Sequence, residues 1–153
     1  MYDLARLIIL LHVLSAFVYG AGYIGTNVMT ELARRTVDPL ELGHVLHFSN
    51  VLDKLNQFGG MAAGITGIAA TFVFGYSLLT PWVIAASVLY AVIVVAGIVF
   101  WGRVGRETDR AMRAGELSRV IAILRSPRNI AASRLENALF VVLVSLMVLR
   151  PGA

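Results

Sequence analysis

The sequence of 153 residues contains no cysteine and few charged groups. Without cysteine there is no disulfide framework, no thiolate metal site and no cysteine nucleophile. Charged residues make up 14% of the chain, against roughly 25% in an average soluble domain. With an apolar share of 58% and a mean hydropathy of +0.79, this excludes an ordinary soluble enzyme domain and a disordered tail. Proline is scarce too, at four residues, and none lies between Pro39 and Pro81, so one helix can run through that whole stretch. There is no Walker-type phosphate loop and no nucleophile–base–acid set. No paired carboxylates stand inside the apolar runs, which leaves little basis for an ion-coupled transporter.

What the chain does have is apolar runs long enough for a bilayer. A helix rising about 1.5 Å per residue needs roughly 20 residues to cross a hydrocarbon core of about 30 Å. The reading is a single integral membrane domain over 1–153, an all-α bundle of four transmembrane helices at about 4–29, 58–79, 81–101 and 129–149. The first run is too long, and too weakly charged at its start, for a signal peptide. Asp38-Pro39-Leu40-Glu41 predicts a helix start, with Asp38 as cap, Pro39 in the first turn and Glu41 completing a box-like pattern. From there one helix is expected to run through the second span, its first part at the membrane surface. Thr80-Pro81-Trp82 makes a tight connection, and Trp82 and Trp101 mark opposite interfaces.

The polar stretches carry the orientation signal. Arg103, Arg106, Arg110 and Arg113 recur at helical spacing on one face, with Glu107 and Asp109 placed to pair with Arg110 and Arg113. Gly115 is a helix stop. Leu117, Val120, Ile121 and Leu124 form a short amphipathic helix expected on the cytoplasmic membrane surface, broken by Ser126-Pro127. With four spans, the loops at 31–57 and 102–134 share one side and hold 11 of the 13 basic residues. The positive-inside rule puts those loops in the cytoplasm and both termini outside. The basic excess is thereby explained by the bilayer, with no need of nucleic acid.

Inside the spans few polar groups remain. Gly20-Ala21-Gly22-Tyr23-Ile24-Gly25 spells a dinucleotide fingerprint, but it lies within an apolar helix with no strand before it. Its glycines suit helix packing or a groove for a flat ligand. His12 begins a stripe of small and polar residues that continues through Ser15, Tyr19, Tyr23 and Asn27. An ionisable residue within a span is costly and marks a functional candidate; the alternative is a neutral histidine hydrogen-bonded to a neighbouring helix. His44 and His47 stand one turn apart and could share a metal with ligands from elsewhere, or simply form an interfacial polar face. They should lie far in depth from His12, because the first helix runs on for about 25 Å beyond it. Met147, at a depth near His12, is a candidate soft axial ligand, or ordinary packing. Gly60 and Gly64 form a GxxxG pair for close helix approach.

The stretch Leu11-His12-Val13-Leu14-Ser15-Ala16, with Tyr19, Gly20 and Gly22, resembles the first helix of a bacterial membrane superfamily. That group includes an uncharacterised predicted integral membrane family, the membrane domain of copper-resistance protein D and the HemJ-type protoporphyrinogen oxidases. Gly43-His44-Val45, Asp53, Gln57, Thr66-Gly67 and Pro81-Trp82 are most similar to the uncharacterised family. HemJ-like relatives bind haem b through an intramembrane histidine, and His12 matches that position. The resemblance therefore implies a haem-b-binding, redox-linked protein of the bacterial inner membrane. Its axial ligand would be His12, with Tyr19, Gly20 and Gly22 about the ring; Met147, from its depth, and His44 and His47, from their spacing, are the further ligand candidates. The alternatives are a non-enzymatic subunit or assembly factor, as a homo-oligomer or with a partner membrane subunit, and a small-solute transporter.

Overall fold

A computed structural model describes residues 2–151, and among these the chain is helical with no strand. The elements are α1 (Tyr2–Arg35), α2 (Pro39–Val73), α3 (Pro81–Ala96), a π-helical turn (Gly97–Trp101), α4 (Gly102–Arg113), α5 (Leu117–Leu124) and α6 (Pro127–Leu149). Three helical stretches, Asp3–Arg35, Pro81–Arg113 and Pro127–Leu149, are long and apolar enough to cross a membrane. Protein buries only 17%, 17% and 11% of their most apolar windows. Phe17, Ile98 and Val148 are 76%, 69% and 74% exposed. Helices that apolar, and that bare, are at equilibrium only in lipid. The chain is a multi-pass integral membrane protein.

Helix boundaries follow local chemistry. Pro39, Pro81 and Pro127 each stand in a first turn, where a missing N–H costs nothing. The Glu41 amide donates to Asp38 Oδ1 at 2.8 Å, so Asp38 caps α2 as its position implies. α2 then runs without a break to Val73. It ends in a Schellman motif: Gly75 has φ +73°, its amide donates to Phe72 O at 3.1 Å, and the Tyr76 amide donates to Thr71 O at 3.0 Å. This corrects the expected second span, because residues 74–79 have left the helix. Its apolar helical part, Phe58–Val73, falls short of the roughly 20 residues of a full crossing. Gly115 ends α4 in the same way, with φ +72° and an amide from Glu116 to Ala111 O at 2.9 Å.

The chain forms two compact units. The first comprises Met1–Arg35 and His44–Leu78. Here α1 and α2 lie antiparallel, since Tyr19 meets Gly59, Gly22 meets Asn56 and Gly25 meets Leu52. The second comprises Thr36–Gly43 and Leu79–Ala153. Its core is Ala86, Ile93 and Leu143, where α3 packs on α6 with Leu89, Tyr90 and Leu139 around them.

Three details of the second unit lay outside the sequence pattern. The Gly102 amide bonds back to Gly97 O, five residues earlier, so the helix takes one wide turn between its apolar and arginine-rich parts. That extra residue rotates everything after it by about 100° relative to an unbroken α-helix. Val120 is fully buried and Leu124 is 8% exposed, so the apolar face of α5 is covered by protein. The face expected to meet lipid therefore meets protein. Glu107 pairs with Arg103 at 3.0 Å, one turn back, and not with Arg110 as spacing suggested.

Candidate functional site

A polar seam runs between α1 and α2. Four close approaches make it. A Cβ on Gly22 would lie 2.8 Å from Asn56 Cα, and one on Gly59 would lie 2.9 Å from Tyr19 Cα. Side chains at these two positions would strike backbone, so only glycine allows the helices this close. A Cβ on Gly60 would meet the Tyr19 ring at 3.1 Å, and one on Gly67 would meet His12 Cε1 at 3.1 Å. Tyr19 and Tyr23 are consequently buried, with ring centroids 6.2 Å apart.

His12 sits half-buried at one end of this seam. Its Nδ1 lies 3.2 Å from Ala63 O and 3.3 Å from Thr66 Oγ1. A carbonyl oxygen can only accept, so Nδ1 carries the proton and donates. The Thr66 hydroxyl donates to Ala62 O at 2.6 Å, which leaves its oxygen to accept from the same ring nitrogen. Ser15 lies 3.2 Å from Thr66 Oγ1 and donates to Leu11 O within its own helix. In the neutral imidazole these bonds fix one tautomer and leave the lone pair on Nε2. A histidine held at Nδ1 by a carbonyl, with Nε2 as the acceptor, has the arrangement that orients metal-bound histidines. It equally satisfies a histidine that simply ties two helices together.

The other sequence candidates fall in different places. No heavy atom lies within 4 Å of a Cβ at Gly20, so that glycine faces open space. Gly22 is filled by the backbone of α2. His44 and His47 are exposed, and His47 stands edge-on to Phe48 with centroids 6.0 Å apart. Along α2 they precede Ala63 by about 24 Å or more of helix axis. Among the described residues, no three His, Asp or Glu side chains gather as a metal-binding group. Met147 packs against the Ala86, Ile93 and Leu143 core of the second unit.

Sequence reasoning missed the partners of His12. Ala63 acts through its backbone oxygen, which no residue type advertises. Thr66 was visible only as one of the Thr66-Gly67 pair, four residues from Ala62 on the small-residue face. It also missed the bond from Trp101 Nε1 to the Glu136 carboxylate. Trp101 looked like an interfacial anchor; it is also a cross-link between the end of the π turn and α6.

No curated protein and no solved structure matches the chain. A family's sequence pattern does, over residues 6–151. The apolar spans, their bare faces and this match lead to one assignment: the chain belongs to the family described as "Predicted integral membrane protein (DUF2269)".

Proposed function

We propose that this is a haem-b-binding, redox-linked membrane protein with His12 as the axial ligand. The observation that carries the reading is the bond from Nδ1 to Ala63 O, which orients the ring and leaves Nε2 for iron. The lone pair left on His12 Nε2 and the open space beside Gly20 support such a group. The residues do not fit a ring laid over Gly22, where the Asn56 backbone stands. A bound b-type haem would supply one-electron chemistry. The chain's own part is to hold the imidazole through Ala63 and Thr66 and to seal the seam below it with Tyr19 against Gly60. The test is the visible spectrum of detergent-purified protein expressed with added haem. The expected result is a Soret band that His12→Ala removes and that His44→Ala and His47→Ala keep. A colourless wild-type preparation would overturn the reading.

The rival is a non-enzymatic membrane subunit acting by helix packing. Its support is that Gly22, Gly59 and Gly67 are filled by contacts between α1 and α2, so these glycines serve helix packing and leave no groove for a flat ligand there.

For either activity we infer four crossings, with the charged loops in the cytoplasm of a bacterial cell and both termini outside. The support is the pairing of α1 with α2. The stretch His12–Gly25 belongs to an apolar span, and Leu52–Gly67 runs antiparallel beside it. A helix in contact along the length of a span shares its depth, even when its own apolar run is short; local thinning of the bilayer and snorkelling of flanking side chains accommodate the mismatch.

A further inference from the structure

The second unit holds a cavity of about 360 Å³ that the reading above does not use. Arginines from three helices line it: Arg103 of α4, Arg119 of α5 and Arg128 of α6. Glu107 stands in the same wall and Phe100 and Ile123 form its apolar part. The charges are not internally balanced. Arg103 is paired with Glu107 on α4 and Arg119 with Glu116, the residue before α5, each at 3.0 Å. The Arg128 guanidinium instead lies 5.2 Å above the Phe100 ring, with no carboxylate in ion-pair range among the described residues. A cation held over an aromatic face keeps its N–H groups for another acceptor.

Two further features face the same space. Ser126 and Asn129 line it with Arg128, so the first turn of α6 opens here, and no side chain caps that turn. Its amides add a fixed positive potential. The π turn ends at Phe100 and Trp101, and Trp101 bonds to Glu136 in the third turn of α6, which ties this wall to that helix.

We propose that this cavity binds the phosphate of an anionic phospholipid headgroup. Guanidinium groups match phosphate oxygens in charge and geometry. Location selects the lipid over free phosphate. The cavity lies where the Pro81–Arg113 span turns from apolar to arginine-rich and where the Pro127–Leu149 span begins. Headgroups reside at that level, and Phe100, Val104 and Ile123 supply an apolar floor for the glycerol and upper acyl chain.

The experiment uses delipidated full-length protein in detergent, with bound adducts and affinities read by native mass spectrometry. Three arms are titrated: phosphatidylglycerol, phosphatidylcholine and inorganic phosphate. The expected result is one tight phosphatidylglycerol adduct and weak binding in the other arms. Arg128→Gln, at an exposed position, should weaken phosphatidylglycerol about tenfold, the worth of one lost charge-assisted contact. Arg128→Lys should retain part of it. Arg113→Gln, an exposed arginine of α4 outside the cavity, should leave it unchanged. Equal binding of phosphatidylcholine, or equal weakening by Arg128→Gln and Arg113→Gln, overturns the site in favour of diffuse attraction. Binding of inorganic phosphate that needs Arg128, without lipid binding, overturns the lipid source.

Discussion

At the scale of single residues, glycine decides how closely α1 and α2 approach. Gly20 and Gly22 look alike in the sequence, two positions apart in one motif. The structure separates them, because Gly22 meets the Asn56 backbone and Gly20 meets nothing. Gly22→Ala should therefore lower stability by about 1–3 kcal/mol, the usual cost of overpacking where the obstacle is backbone. Gly20→Ala should be neutral or stabilising by up to about 1 kcal/mol, through helix propensity alone. Reversible unfolding of the two variants in mixed micelles, followed by circular dichroism, measures the difference; equal effects would contradict the close approach. His12 was legible as the histidine within the first apolar span. Its partner at Ala63 was not, because a backbone carbonyl is present at every position and only the register of two helices selects one.

At the scale of elements, starts and stops were legible and pairings were not. Proline in a first turn and glycine at positive φ act within a few residues, so Pro39, Pro81, Pro127 and Gly115 mark boundaries directly. Asp38 belongs with them. Its carboxylate accepts from the Glu41 amide at 2.8 Å, so Asp38→Ala should cost about 0.5–2 kcal/mol, and Asp38→Asn should recover most of it. Thermal unfolding of the two variants checks this. The end of α2 was misplaced because its apolar pattern continues past Val73, while the Schellman turn at Gly75 overrides it. The face of α5 was misread for a related reason. Amphipathic spacing shows that one side seeks an apolar environment, and lipid and protein both provide one. The π turn left no sequence mark either, although it resets the direction of the arginines that follow.

At the scale of the whole molecule, the absence of cysteine makes topology directly measurable. Single cysteines replacing Asp3 and Glu116, both exposed, should label from opposite sides of intact cells if α2 completes a crossing. If only the Asp3–Arg35, Pro81–Arg113 and Pro127–Leu149 stretches cross, the two positions fall on the same side, and the four-crossing reading fails. The sequence by itself determined that this is a helical membrane protein, where most of its helices begin and stop, and which histidine stands within an apolar span. Those properties come from hydropathy, length and local backbone chemistry, all of which act over a turn or a span. The tertiary structure alone decided which acceptor holds His12, which glycines touch a neighbour, and which arginines converge on one cavity. Each of those depends on the register between helices distant in sequence, and register is set by backbone packing that residue types at single positions do not encode.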